Sequence, residues 1–297
     1  LINEIYKTNH SKQINTLHVC FGSFKGLASL SSSFSSTAFK DIEVRSEHLK
    51  RVVKVAVLLP LDYNPGKEYP LILFNDAQDF GALRLCDTYL DLLRSEQVRP
   101  AIVAGIYANE RRLYEYGTAA QPDYAGRGSE AGATTAFVTE ELIPLLSVNL
   151  GARRYGNVYA GFSLGGLMAL DIVINHPSTF SLAGVFSGAL WWRQKAIGEG
   201  YSDSDRIMHA QIRSLRDIPD TKFWFQCGSL DEYDDRDGDG VIDSVQDTLE
   251  CIGELERKGY VWNKDVFYIE VGGGQHNQST WAVVLPEFLK WASHNLR

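Results

Sequence analysis

The sequence lacks the signatures of several large protein classes. It has no basic excess, since 29 lysines and arginines stand against 37 acidic residues for a formal net charge of −8. No basic stripe offsets that balance, so no nucleic-acid partner is expected. No run approaches the roughly 18 consecutive apolar residues of a membrane span, so none is expected. Cysteine is scarce: Cys20, Cys86, Cys227 and Cys251 are scattered, without a C-x-x-C pair or metal-ligand spacing. They read as buried free thiols. The chain opens at Leu1, and no charged-then-apolar signal pattern follows, which leaves the compartment open. Apolar residues are not lacking. At 44% hydrophobic and 22% charged, the composition excludes a disordered chain.

The 297 residues are enough for a large core without disulfide or metal staples. Residues 1–41 read as an N-terminal arm or linker, with a Ser-rich stretch from Ala28 to Ser36 that has neither helical nor strand period. Residues 42–297 read as one α/β domain. Arg51–Leu59 is a strand stopped by Pro60, and Leu71–Phe74 and Ala101–Ile106 are short apolar runs typical of buried parallel strands. Residues 84–95 have helical spacing. A polar, Gly-rich stretch from Tyr107 to Gly132 is too long for a simple turn, and a length of this kind usually carries function. A helix follows from about Ala133 to Leu146. Strands are then predicted at Val158–Ala160, Leu182–Phe186, Lys222–Cys227 and Val266–Val271, and helices at Leu167–Asn175, Asp247–Lys258 and Thr280–Ser293. Strands alternating with helices predict a doubly wound, mostly parallel sheet covered on both faces.

Gly161-Phe162-Ser163-Leu164-Gly165 matches G-x-S-x-G, which is weak alone. Its setting strengthens it, because strand-like residues precede it and an apolar helix follows. That strand–turn–helix lifts a serine Oγ off the sheet and aims the Leu164 N–H at a developing oxyanion. A serine hydroxyl needs a base and an orienting acid. In the α/β-hydrolase order both come later in the chain, acid first. His276 follows the last predicted strand and is favoured over His176, His209 and His294. Asp231, after the strand before it, is the expected acid, with Glu232 as its rival. The second oxyanion N–H is assigned to Gln78, in the loop after Leu71–Phe74.

With these residues in place, the chain resembles the enterochelin-esterase-like and esterase-D-like family of α/β-hydrolases. The matching pieces are Val57–Pro60, Tyr69-Pro70, Asn75–Asp79, Gly161–Gly166, Phe186–Gly188, and Gly274–Asn277 with Trp281. The resemblance covers residues 42–297. It implies an α/β-hydrolase fold and a serine hydrolase that cleaves carboxylic esters of small molecules, without an organic cofactor. Ser163 is then nucleophile, His276 base and Asp231 acid. Many members have Gly where Ala77 stands, so a methyl narrows the oxyanion loop here. The family spans siderophore, feruloyl and acetyl-polysaccharide esters, and membership does not choose among them. The rivals are an acyltransferase and a catalytically silent binding module on the same fold.

Two further expectations concern substrate and metal. Trp192, in Leu190-Trp191-Trp192-Arg193, is assigned to an acyl or aromatic pocket, and Arg127 to an anionic substrate group. Arg111 and Arg112 share the long loop with Arg127 and belong to the same expectation. Asp235, Asp237, Asp239 and Asp243 have the spacing of an EF-hand-type loop, which predicts a structural Ca²⁺. The residue at the twelfth loop position is Gln246 in place of the usual Glu.

Overall fold

Leu71–Asn75 (β4), Ile102–Ile106 (β5) and Asn157–Phe162 (β6) are buried at every residue, as their unbroken apolar runs require. In the computed structural model, the described residues are 37–296 together with the backbone of 17–19. The remaining strands are Leu17–Val19 (β1), Lys40–Ser46 (β2), Arg51–Leu58 (β3), Phe180–Phe186 (β7), Lys222–Leu230 (β8) and Val266–Gln275 (β9). They form one sheet in the order β1-β2-β3-β5-β4-β6-β7-β8-β9. β2 and β3 pair antiparallel, as do β3 and β5. From β5 to β9 every pairing is parallel.

Helices cover both faces. They are Leu85–Arg94 (α1), Arg112–Glu115 (α2), Ala131–Ala136 (α3), Ile143–Leu150 (α4), Leu164–Asn175 (α5), Ile207–Ser214 (α6), Asp243–Arg257 (α7) and Gln278–Asn295 (α8). Strand residues alternate between two cores. Val53, Val55, Leu71 and Leu73 pack on the side of α4–α7. Ala56, Leu58, Ile72 and Phe74 pack on the side of α1 and α8. This period of two is what a strand buried on both faces must show. The architecture is the expected doubly wound one.

The elements differ from expectation in ways with physical causes. The helix predicted from Ala133 to Leu146 runs as α3, a π turn over Phe137–Leu142, and α4. The ladder widens just before Pro144, which has no N–H to donate. α6 was not expected; it is short, and only Ile207, Met208, His209 and Ile212 of it are buried. α5 begins at Leu164 rather than Leu167, because the glycines that weaken the pattern are packed tightly against the sheet. β1 and the first residues of β2 fall inside the segment expected to be an arm, and β1 pairs parallel to β2. The Ser-rich stretch lies outside the described residues. The long polar stretch is closely packed: Tyr116 and Thr118 are buried, and α2 lies within it. Cys86, Cys227 and Cys251 are free thiols, the last two buried as expected and Cys86 half-buried.

Candidate active site

Ser163 sits between β6 and α5 with φ 54° and ψ −123°, a strained conformation for a residue with a side chain. Three contacts hold it there. Its N–H donates to the Phe186 carbonyl at the end of β7 at 2.8 Å. Its own carbonyl accepts from Ala189 N–H at 3.1 Å, and from Gly166 at the start of α5. The flanking glycines are sterically required. A Cβ on Gly161 would lie 2.3 Å from the Gly165 carbonyl oxygen, and one on Gly165 would lie 2.5 Å from Asp76 Oδ2. Leu164 is the first residue of α5, so its N–H has no partner within the helix and points from the positive end of the helix dipole.

The loop after β4 packs directly on this turn. Asn75 Nδ2 donates to the Gly165 carbonyl at 2.9 Å, and Tyr159 Oη donates to Asn75 Oδ1 at 2.8 Å, all of it buried. Asp76 follows in a left-handed conformation and heads a 3₁₀ turn, Ala77–Asp79, that carries Gln78. The Gln78 side chain donates to Asp76 Oδ1 and accepts from Ala108 N–H. Its backbone is therefore held at the carboxyl end of the sheet, on the loop that packs against Ser163's turn. Sequence reasoning assigned Gln78 and passed over Asn75 and Asp76. Two polar residues closing an otherwise apolar buried strand were the available signal.

Asp231 lies at the end of β8, buried at 8% exposure. Neither of its carboxylate oxygens meets a donor at hydrogen-bonding geometry. Burial raises its pKa; the Ser187 hydroxyl, the Gly228 N–H and His276 act in the opposite direction. Ser187 itself accepts from Trp281 Nε1 at 2.9 Å. Glu232 faces elsewhere. Burial, with the charges of Asp243, Asp234 and Asp247, pushes it up to about 7, and the Ser244 backbone alone opposes them.

His276 follows β9 and meets the Trp281 ring edge-on, with centroids 5.4 Å apart. Loss of solvent around the ring lowers its pKa, Asp231 raises it, and Arg112 lowers it further. Asn277 caps α8 by accepting from Thr280 N–H at 3.0 Å, which fixes the residue next to His276. Gln278 then donates to Asp79 Oδ1 at 3.1 Å, fastening the histidine segment to the Ala77–Asp79 turn. The other histidines are accounted for differently. His209 is buried, with Nε2 on the Asp247 carbonyl, and is pushed down to about 3 by burial and Arg206. His176 follows α5, and His294 lies in the last turn of α8.

The substrate assignments need correction. Trp192 is fully buried, and a Cβ on either Gly117 or Gly128 would lie 2.8 Å from its Cζ2. It packs beneath the long loop, closed off from solvent, and so does not line an open pocket. Arg127 is ion-paired to the buried Asp123 and stacked over Trp191 and Tyr124. Its charge is spent within the loop. Arg111 pairs with Glu130, and Arg112 with Asp76.

The acidic loop brings three of its four carboxylates together. Ligand oxygens of Asp235, Asp237 and Asp239 lie within 4.8 Å of one another. Asp243 is turned away, onto the Arg236 N–H at 3.0 Å and its guanidinium at 3.1 Å. Gln246 instead reaches the group, donating to Asp237 Oδ2 at 2.8 Å. Within the loop, Gly238 and Gly240 N–H groups donate to Asp235. Arg236 and Arg206 both pair with the buried Asp247, which latches the loop to α7.

A serine on a strained strand–helix turn, served by loops at the carboxyl ends of parallel strands, defines an α/β-hydrolase. The chain belongs to the esterase family described as "Putative esterase", whose model matches residues 46–292. It is an esterase. Among its relatives, the Bacillus subtilis protein YjcH, itself uncharacterized, is 25% identical over 252 residues, covering 82% of this chain and 93% of that one. The diacylglycerol acyltransferase/mycolyltransferase Ag85B of Mycobacterium avium is 35% identical over 131 residues, 37% of this chain and 39% of that one. The enterobactin esterase of Shigella flexneri, solved in the presence of enterobactin, superposes with a TM-score of 0.69 at 20% identity. That match covers 87% of this chain, which spans 59% of the length of the Shigella protein. Among the described residues no helix is long and apolar enough to cross a membrane.

Proposed function

We propose that the chain hydrolyses carboxylic esters of small molecules through an acyl-enzyme on Ser163. His276 takes the Ser163 proton as Oγ attacks the ester carbonyl, and returns it to the leaving alcohol. Asp231 orients the imidazole and stabilises its charge. The N–H groups of Leu164 and Gln78 receive the oxyanion. Water then attacks the acyl-enzyme, with His276 again as base, and releases the acid.

The observation that supports this reading best is the Asp231 carboxylate. It is buried, with only the Ser187 hydroxyl and the Gly228 N–H near it among the described residues and neither in close hydrogen-bond geometry, and it is electrostatically linked to His276. A buried carboxylate with so few close donors is costly unless a partner arrives, and an imidazolium formed during turnover is such a partner. Glu232 has no such link to His276. The experiment is labelling with a fluorophosphonate, which is expected to modify Ser163 alone, together with loss of ester hydrolysis in a folded Ser163→Ala variant. Labelling elsewhere, or unchanged turnover in the variant, overturns the assignment. A panel of acetyl, butyryl, feruloyl and catecholate esters then identifies the acyl group. The relation to the enterobactin esterase favours beginning with the catecholate.

A second reading, acyl transfer to an alcohol, is favoured by the 35% identity to Ag85B over 131 residues. Added alcohol diverting the acyl group from water to ester separates the two. For the acidic loop we infer a structural Ca²⁺ held by Asp235, Asp237 and Asp239, without Asp243. Its role is to brace the segment that follows Asp231.

A further inference from the structure

Asp76 and Arg112 form a fork beside the proposed triad. Arg112 Nε donates to Asp76 Oδ1 at 2.7 Å, and Nη2 donates to Oδ2 at 2.8 Å. Asp76 is buried at 1% exposure. The same Nη2 reaches the carbonyl of Phe162, the residue before Ser163, at 3.4 Å. The guanidinium is seated over the Tyr116 ring, 5.0 Å from its centroid. Asp76 Oδ2 in turn lies against Gly165, on the other side of Ser163. The fork thus touches the turn on both sides of the nucleophile. Its acidic member also heads the segment that carries Gln78, in a left-handed conformation that residues with a Cβ avoid.

We propose that Arg112 is a positioning residue of this site. Through Asp76 it clamps the oxyanion segment onto the Ser163 turn, and because Gln278 fastens the His276 segment to that same Ala77–Asp79 turn, the fork holds its charges beside the triad. Bidentate geometry suits the first task, because two parallel bonds fix the angle of the carboxylate as well as its distance. The second task follows from the charges that act on His276. Asp231 favours the imidazolium and Arg112 opposes it. Within the fork each charge offsets the other, so removing either member exposes its partner's charge to His276, and Asp79 is engaged by Gln278. Loss of solvent is the largest influence holding the ring neutral, the form a general base requires, and Arg112 adds to it against the pull of Asp231.

This inference rests on the esterase reading with Ser163 and His276, and its test separates the two. His276 ring resonances are followed by NMR through a pH titration, in parallel with the pH dependence of kcat/KM. Arg112→Gln removes the charge, so the His276 midpoint and the acid limb of the profile are expected to move to higher pH. Asp76→Asn leaves Arg112 uncompensated, and both are expected to move to lower pH. Arg112→Lys keeps the charge but loses the fork. Its profile is expected to stay in place while kcat falls on the order of 10- to 100-fold with KM little changed. Variants that fold, by circular dichroism, yet leave the His276 midpoint where it is overturn the tuning role. Full kcat in Arg112→Lys overturns the clamp. Opposite shifts in the Gln and Asn variants are not what loss of packing alone produces. If Arg112→Gln does not fold, Asp76→Asn and Arg112→Lys still decide both points. The NMR titration needs no turnover, so it stands even where Ser163-dependent hydrolysis is not found, a result that overturns only the esterase reading.

Discussion

Asn75 and Gly165 are joined by a buried hydrogen bond of 2.9 Å, from the last residue of β4 to the first turn of α5. Through it, the loop holding one proposed oxyanion donor, Gln78, is registered on the helix holding the other, Leu164. Tyr159 completes the arrangement by donating to the same side chain. Replacing Asn75 with Ala strands the buried Tyr159 hydroxyl and removes the second bond to the Gly165 carbonyl, which keeps its place in the helical ladder of α5. The expected cost is about 1–3 kcal/mol for the stranded hydroxyl, with a fall in kcat. Urea unfolding and steady-state kinetics on the one variant check both.

The two candidate acids are expected to behave differently. Asp231→Asn removes the carboxylate proposed to orient His276 and is expected to lower kcat on the order of 10³- to 10⁴-fold. Glu232→Gln is expected to change kcat little, because Glu232 is coupled to the acidic loop rather than to His276. Kinetics on both variants at one pH decides. The reverse order moves the acid one residue along.

His209 links stability to pH. Burial, and then the Arg206 charge, hold its native pKa at about 3, against 6.5 for an ordinary histidine. Below pH 6.5 the unfolded chain binds a proton that the native state refuses. The unfolding free energy therefore falls as pH drops from 6.5 towards 3, by at most about 1.4 kcal/mol per pH unit from this group. His209→Gln retains an amide for the Asp247 carbonyl and removes the titration. Urea unfolding at pH 7 and pH 5 is expected to show a smaller difference in the variant than in the wild type.

Millimolar Ca²⁺ is expected to raise Tm, and a chelator to lower it, with Mg²⁺ much less effective. The missing acid at Gln246 points to a Kd of about 10⁻⁴ to 10⁻³ M. Asp237→Asn is expected to weaken the response, whereas Asp243→Asn lowers stability with or without calcium, through its bonds to Arg236. Calorimetry without a calcium heat and a Tm indifferent to chelator return the loop to a solvated acidic hairpin.

Much of the fold was legible because buried parallel strands are short apolar runs, and Leu71–Phe74 and Ala101–Ile106 are recognisable by composition alone. α6 was not, since eight mixed residues present too few turns for a period to emerge. Trp192 misled for a related reason. A tryptophan near the carboxyl end of a strand has the same local sequence whether it faces a cleft or lies under a loop. Its burial depends on Gly117 and Gly128, which are more than sixty residues away in the chain.

The strand–turn–helix holding Ser163 and Leu164 was legible from local chemistry, because so tight a turn needs glycines at close spacing and those glycines stand beside the serine in the chain. The partners of the arginines were not. Arg111, Arg112 and Arg127 look alike in a polar loop, yet the fold gives them to Glu130, Asp76 and Asp123. Asp76 and Arg112 are 36 residues apart, and nothing in either stretch names the other. They meet because β4 and β5 lie side by side and both chains leave the sheet at its carboxyl edge. An ion pair of that kind is a property of strand order, and strand order emerges only when the whole sheet has assembled.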